Sequence, residues 1–350
     1  MSRDNVRVAL WRATTRVLSA LLTVFGASVI AFIFIRLAPG NPARLTLGPL
    51  APAAAVQAQI RHLGLDQPLY LQYAKYITQF FRGDWGFVYG AGQSVTQQLG
   101  ARLPASIELG LYAFGFAATM AVSLAVAVVY RRSRILDGIV RAIAFVAYGT
   151  PPFWFGLMGL YFFFSLTHLL PGPEGRLGAG IAPPPAVTHL YTVDALLAGQ
   201  LHTFVSALWH LLLPALTLSL VPFAYLVRLL RVNLLDMSRE PFLLVVRGKG
   251  VNRWRTLTRH ALPNALLPTV TAGGLLFAQV ITGSVLVEKI FNWPGVGALV
   301  VDSILNQDFA FVQTFILLSA CLYVVVNLLV EVLYGVIDPR SRVDRSGLRR

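Results

Sequence analysis

The chain has 350 residues, 56% of them apolar and only 13% charged, with a formal net charge of +14. Soluble domains average about 25% charged residues, so this composition excludes a water-soluble globule and makes a lipid bilayer the natural solvent. Nucleic acid is not the partner its positive charge implies: the arginines fall between apolar blocks of membrane length, where anionic lipid headgroups meet them instead.

The N-terminus runs basic and then apolar, as a signal peptide does. Its apolar block is too long for an h-region and has no small-residue cleavage site, so a retained first span is expected. A crossing helix takes roughly 20 apolar residues at 1.5 Å each. Six stretches supply them, at 17–37, 107–130, 139–170, 208–230, 265–287 and 311–337, which predicts an all-α integral membrane protein with six transmembrane helices. The third stretch contains YGTPPFW, where Pro151 and Pro152 remove backbone donors and should break or kink the helix, leaving its second half to cross. Residues 38–106, rich in Tyr, Gln and Gly, predict a small external subdomain with an amphipathic helix over LYLQYAKYITQFF at 69–81. A second external loop, 171–207, opens with PGPEGRLGAGIAPPP, too dense in Pro and Gly for regular structure. The single cysteine, Cys321, lies in an apolar block and can build neither a disulfide framework nor a cysteine-based zinc site within this chain.

Lysine and arginine are retained on the cytoplasmic side. One set of alternate loops carries Arg3, Arg7, Arg12 and Arg16, then Arg131, Arg132, Arg134 and Arg141, then eight cations from Arg228 to Arg259, then five from Arg340 to Arg350. The opposite set holds eight in all, among them Arg102, Arg176 and Lys289. Both termini, and the long loop 231–264, are therefore expected in the cytoplasm.

That loop interrupts the apolar chain with closely spaced signals. Ser238 is expected to cap a short apolar helix that Pro241 opens and Gly250 stops, and VNRWRTLTRHAL predicts a second, basic helix. Two short helices meeting at a glycine corner form a knob that another protein can grip. The GKG at 248–250 is not a phosphate-binding P-loop, because Gly250 stands where Ser or Thr must bind Mg²⁺ and Leu243 where the first glycine belongs.

Other polar residues have two readings each. Glu288 and Lys289, before FNWPGVG, either mark the outer mouth of a pore or belong to an interfacial Trp and Pro-Gly turn that caps a helix. Thr271, Gly274, Gln279, Thr282, Ser284 and Glu288 are candidates for lining a translocation pathway, although small residues also serve close helix packing. Glu108 and Glu331, near span ends, are expected to stay wet. His168, His189, His202 and His210 cluster around the second external loop without the spacing of a metal site, and no metal is assigned.

The segment RGKGVNRWRTLTRHALPNALLPTV resembles the cytoplasmic EAA loop of binding-protein-dependent ABC importer permeases, in particular the dipeptide, oligopeptide and nickel branch. FIRLAPGNPA, LGLDQPLYLQY, FRGDWG, RLPASIELG, PPFWFGL, HLLLPALTL, VEKIFNWPGVGALVVDSI and LLVEVLYGVIDPRSR are similar to that family's successive landmarks, so the resemblance covers residues 11–343. It implies a type I ABC importer permease fold. Residues 1–37 would be the cytoplasmic N-terminus and first span, 38–106 the external subdomain, 107–337 a permease core with five spans, and 338–350 a cytoplasmic tail. The implied partners are a second homologous permease subunit, two ABC ATPase subunits that bind ATP and Mg²⁺, and an extracytoplasmic substrate-binding protein, in a bacterial inner membrane. This chain itself would hold no cofactor and catalyse nothing.

The resemblance also makes the loop a coupling helix, with Leu243, Leu244, Val245, Val246, Arg247, Gly248, Lys249, Gly250, Val251 and Asn252 filling a cleft of the ATPase. The usual pattern reads T-A-R-A-K-G; here Val245 and Val246 replace its first two residues, Gly248 its second alanine, and Leu244 stands in place of an acidic residue. Di- or oligopeptides are the expected cargo, with nickel or haem as alternatives on the same architecture. An ATP-independent secondary transporter would need ionisable groups at the bilayer midplane, whereas most charges here flank the spans. An intramembrane protease would need H-E-x-x-H, which is absent, or an activated serine, which nothing in Ser165 and His168 suggests.

Overall fold

The structure, a computed structural model, describes residues 3–37, 47, 50–88 and 92–337. The expected tail 338–350 lies outside the described residues, as do the side chains of Thr282 and Glu331. The chain forms two compact units, one of residues up to Ala101 together with Leu299–Val325, the other of Arg102–Ala298 and the residues from Val326 on.

In the first unit, helix α1 (Arg3–Leu37) is followed by α2 (Ala53–Leu63) and α3 (Leu69–Phe81), the latter spanning the amphipathic segment expected from the sequence. Gly64, at φ +71°, ends α2 in the left-handed conformation. The apolar face of α3 rests on α1: the Tyr73 ring meets Phe25 and Phe32 edge-on, and its hydroxyl lies 2.7 Å from that of Ser28. A two-residue hairpin, β1 (Phe87–Val88) and β2 (Gln93–Ser94), leads into α4 (Val95–Arg131), so the second long helix begins twelve residues before the stretch read from the sequence.

The second unit takes in α4 from Arg102, α5 (Arg134–Gly149), α6 (Pro152–Gly159), α7 (Tyr191–Leu197), α8 (Leu201–Met237), α9 (Pro241–Gly248), α10 (Leu262–Gly283) and α11 (Val285–Ile290). After these come α12 (Val296–Leu305) and α13 (Phe309–Ile337). Along α4, Ala105, Leu109, Ala113, Ala117, Ala121 and Ala125 recur every fourth residue and are all buried. Such a stripe of small side chains lets backbones approach closely where apolar surface alone gives no preference among neighbours in lipid. Its lower alanines share a core with Phe223, Val227, Leu230 and Leu234 of α8, and its upper ones with Leu211 and Trp293.

Four stretches are long and apolar enough to cross a bilayer as single rods: α4, α8, Arg253–Ile281 and Phe309–Leu329. The third expected span is broken where Pro151 and Pro152 predicted, and its two halves bend by 105°. Neither half reaches crossing length alone; the second is α6 and its π-helical continuation Leu160–Leu166. The described apolar part of α1, Leu18–Phe34, stands at the lower end of the ~17–25 residues that a crossing takes. Ser133 caps α5 through the Leu136 amide, and Asp137 in its first turn receives the guanidinium of Arg231 from α8, with one contact of 2.8 Å.

Candidate functional site

The corner at 238–264 is set by three local constraints. A residue before proline is driven out of helical geometry, so Glu240 (ψ 134°) breaks the chain and Pro241 starts α9 at its first position. Ser238 does not cap α9 as expected. It closes α8, its amide and hydroxyl both donating to the Leu234 carbonyl, and α9 has no side-chain N-cap. Gly250, at φ +80°, turns the chain after α9 and donates to the Arg247 carbonyl at 2.9 Å. An L-residue in that conformation costs about 1–2 kcal/mol. Asn252 then caps the next turn by accepting from the Arg255 amide at 2.8 Å.

The expected second short helix is not separate. The turn Arg253–Arg255 passes through a π-helical stretch, Thr256–Ala261, directly into α10, so the basic segment is the foot of that long helix. Pro263 follows immediately, and the wider i→i+5 register is one way to pass a residue that cannot donate.

Of the ten expected coupling residues, the structure turns one inward. Leu243 is 1% exposed and packs with Leu230, Leu234 and Leu257, because a short helix needs an apolar anchor to stay in place. Leu244 and Val245 are 65% and 61% exposed, Arg247, Gly248, Lys249, Gly250 and Asn252 are exposed, and Val246 and Val251 are half-buried. A Cβ on Gly248 or Gly250 would meet nothing within 4 Å. The outward face of the corner is thus apolar side chains beside cations around an open glycine turn.

The six expected pathway residues divide. Thr271 and Gln279 lie exposed on one stripe of α10 with Asn264, Pro268 and Leu275, and Gly274 is half-buried beside it. Ser284 and Glu288 are walled in instead, with Glu288 at 0% exposure. The Glu288 carboxylate accepts from the hydroxyls of Ser106 (2.7 Å) and Ser284 (2.6 Å) and from the Ala298 amide (2.9 Å). The Ser106 hydroxyl accepts in turn from the Val296 amide, and the Trp293 indole donates to the Ala105 carbonyl. A Cβ on Gly295 would fall 2.3 Å from the Glu288 carboxylate, so NWPGVG is folded over this acid, and Trp293 is buried rather than interfacial. Burying a carboxylate without such donors would be prohibitive.

Glu108 does not stay wet. It is 2% exposed and accepts from Arg176 at 2.6 Å and from the Thr192 amide and hydroxyl. Arg176 also donates to the His189 carbonyl and lies 3.4 Å above the centre of the Tyr191 ring. The irregular loop after the third span is therefore pinned, and α7, unforeseen in the sequence, contributes Thr192 and Asp194. Burial alone would raise the pKa of Asp194. Hydrogen bonds from the Thr188 hydroxyl and amide and from the Val187 and His189 amides outweigh it and hold the carboxyl below the ordinary 3.8. A sequence signal for the pair existed: Arg176 is the sole lysine or arginine between Arg141 and Arg228.

Among the histidines, His210 places Nδ1 2.8 Å from the Ser206 carbonyl and Nε2 3.8 Å from Glu174, while His168 and His189 occupy left-handed turns. Among the described residues no three His, Cys, Asp or Glu side chains gather to hold a metal.

The model of the family described as binding-protein-dependent transport system inner membrane component matches residues 115–343, and that of the N-terminal part of such membrane components matches 10–109. The chain is 41% identical over 327 residues to the probable D,D-dipeptide transport system permease protein DdpB of Escherichia coli K12, covering 93% of this chain and 95% of that one. It is 36% identical over 324 residues to the di/tripeptide transport system permease protein DppB of Pseudomonas aeruginosa UCBPP-PA14, covering 92% and 96%. To the dipeptide transport system permease protein DppB of E. coli K12 it is 33% identical over 323 residues, covering 91% and 95%.

Proposed function

The chain belongs to the family of binding-protein-dependent transport system inner membrane components, and from that premise we propose that its cytoplasmic corner at α9 couples peptide passage to ATP hydrolysis on partner subunits. It is a multi-pass permease subunit of a peptide-importing ABC system, with the type I ABC importer permease fold. Its counterparts in the proposal are a second homologous permease, two ABC ATPases and an extracytoplasmic binding protein that delivers di- or oligopeptides. Peptide cargo is favoured over nickel or haem by the names of the relatives. The proposed setting is a bacterial inner membrane with both termini in the cytoplasm, a reading that the arginine distribution supports.

One observation carries the coupling assignment. The corner offers Leu244 and Val245 to a partner from a helix anchored through Leu243, and Gly250 makes the turn that presents them. In the proposed cycle, ATP closes the ATPase dimer and draws the α9 corners together, and the spans attached to α8 and α10 turn from inward-facing to outward-facing. The chain's own part is mechanical, because α9 connects to one span through three residues and to the next through the rigid foot of α10. The conduit is assigned to the exposed polar stripe of α10, with Thr271 and Gln279 facing the passing peptide and Thr282 following in the same helix.

The test is ATPase activity of the complete transporter reconstituted with its binding protein. Dipeptide-loaded binding protein is expected to stimulate it and nickel is not. Gly250→Asp should abolish stimulation while the protein still inserts in the membrane. Normal stimulation in that variant would contradict the coupling assignment, and stimulation by nickel alone would contradict the cargo.

A further inference from the structure

Beneath the corner, α4, α8, α9 and the foot of α10 line an open cavity of about 190 Å³, with Leu243 and Leu257 among its apolar residues and the solvent-exposed Arg132, Arg239, Arg247 and Arg253 around its rim. This is more room than one water needs. No carboxylate lines it, and among the described residues none of the four arginines forms an ion pair.

Helix ends account for only part of this charge. The carbonyl ends of α4, α8 and α9 each offer about half a negative charge, so together they balance at most roughly one and a half of four positive charges. One arginine is fixed in advance: Arg253 donates to the Val129 carbonyl at 3.0 Å and lies over the Tyr130 ring. Arg132 is held in a left-handed turn, φ +52°, one residue beyond α4. Four exposed arginines around one cavity whose lining holds no carboxylate suit the oxygens of a tetrahedral phosphate. The position fits that ligand: α4 ends at Arg131 and α8 at Met237, both long enough to cross a bilayer, so the cavity stands where a span gives way to the headgroup layer.

We propose that this arginine cavity is a phosphate-binding site, filled by the headgroup phosphate of an anionic lipid or by free phosphate from the same aqueous phase. The inference rests on the membrane placement of these helices but not on the identity of the cargo. Occupancy would brace α9 against α4 and α8, the contact through which the proposed coupling force passes.

The experiment uses the full transporter, co-expressed with its partner subunits and purified in detergent. Dioleoylphosphatidylglycerol, dioleoylphosphatidylcholine and sodium phosphate are the probes, with sodium chloride at matched ionic strength as the reference. Wild type is compared with Arg132→Gln/Arg239→Gln, with each single variant in case the pair folds poorly, and with Arg228→Gln, which matches each single variant in charge but lies on α8 outside the cavity. If a headgroup fills the site, native mass spectrometry should show retained phosphatidylglycerol, but not phosphatidylcholine, falling about tenfold in the double variant and not in Arg228→Gln. If free phosphate fills it, a thermal stabilisation specific to phosphate should vanish in the same variant. Equal lipid retention and equal phosphate response in wild type and variant would overturn the proposal. So would loss of the ATPase subunits with both responses unchanged, which would make the cluster a protein-docking surface. Peptide stimulation is read in parallel, so failure of the phosphate site and failure of the coupling assignment are distinguishable.

Discussion

The corner at α9 and the polar knots around Glu108 and Glu288 use similar residues in opposite ways. At the corner, Arg247, Lys249 and the apolar Leu244 stand in the open around a glycine whose Cβ position faces empty space. In the knots, two carboxylates are nearly or fully buried, and Arg176, Thr192, Ser106, Ser284 and the Ala298 amide all donate to them. Exposed groups cost the fold little and remain available to a partner, whereas buried acids lock distant segments together and are severe to disturb. The contrast separates residues left open to a partner from residues that belong to the frame holding them.

The largest effect should come from the Glu108 knot. Arg176→Ala leaves a buried carboxylate with no cation, and breaking such a pair costs about 3–5 kcal/mol. A purified variant is expected to melt well below wild type, whereas Glu108→Gln/Arg176→Met, which removes both charges and keeps an acceptor for Thr192, should recover most of the loss. Equal melting of the double variant and Arg176→Ala would mean that packing over Tyr191, not charge, holds the loop, and the contrast would weaken. Glu288 is the next test. Glu288→Leu strands the Ala298 amide and two serine hydroxyls, of which Ser284 can turn to the Ile281 carbonyl. A loss of about 2–3 kcal/mol follows, read as reduced monodisperse protein after detergent extraction, with Glu288→Gln closer to wild type. Full stability of Glu288→Leu would return that residue to the pathway.

These two knots also mark the limit of what the sequence discloses. Four long apolar helices, the break at Pro151, the α3 helix and the corner at Gly250 are legible because each depends on residues within a few positions of one another: an apolar run, a missing amide, a periodic face, a left-handed turn. Glu108 meets Arg176 across 68 residues and Glu288 meets Ser106 across 182, and no local pattern encodes either pairing. Arg176 reads in the sequence as one more loop cation, and nothing near it shows that it is buried. The same limit explains Leu243: a coupling motif names a run of ten residues, but only the fold decides which of them faces the core.

The smallest expected change in stability belongs to Leu244. Its side chain is mostly in solvent, so Leu244→Ser removes little burial and costs only the difference in helix preference, within about 0.5 kcal/mol. Leu243→Ser, one position earlier, opens a cavity in a core shared with Leu230 and Leu257 and should destabilise strongly. The pair therefore separates two roles on one turn of α9. If the outward face is a docking surface, Leu244→Ser should melt like wild type yet lose most of the ATPase stimulation by loaded binding protein in the reconstituted transporter, because a partner's cleft no longer receives an apolar side chain. Retained stimulation with unchanged melting would remove Leu244 from the contact and leave Val245 and the glycine turn to carry it.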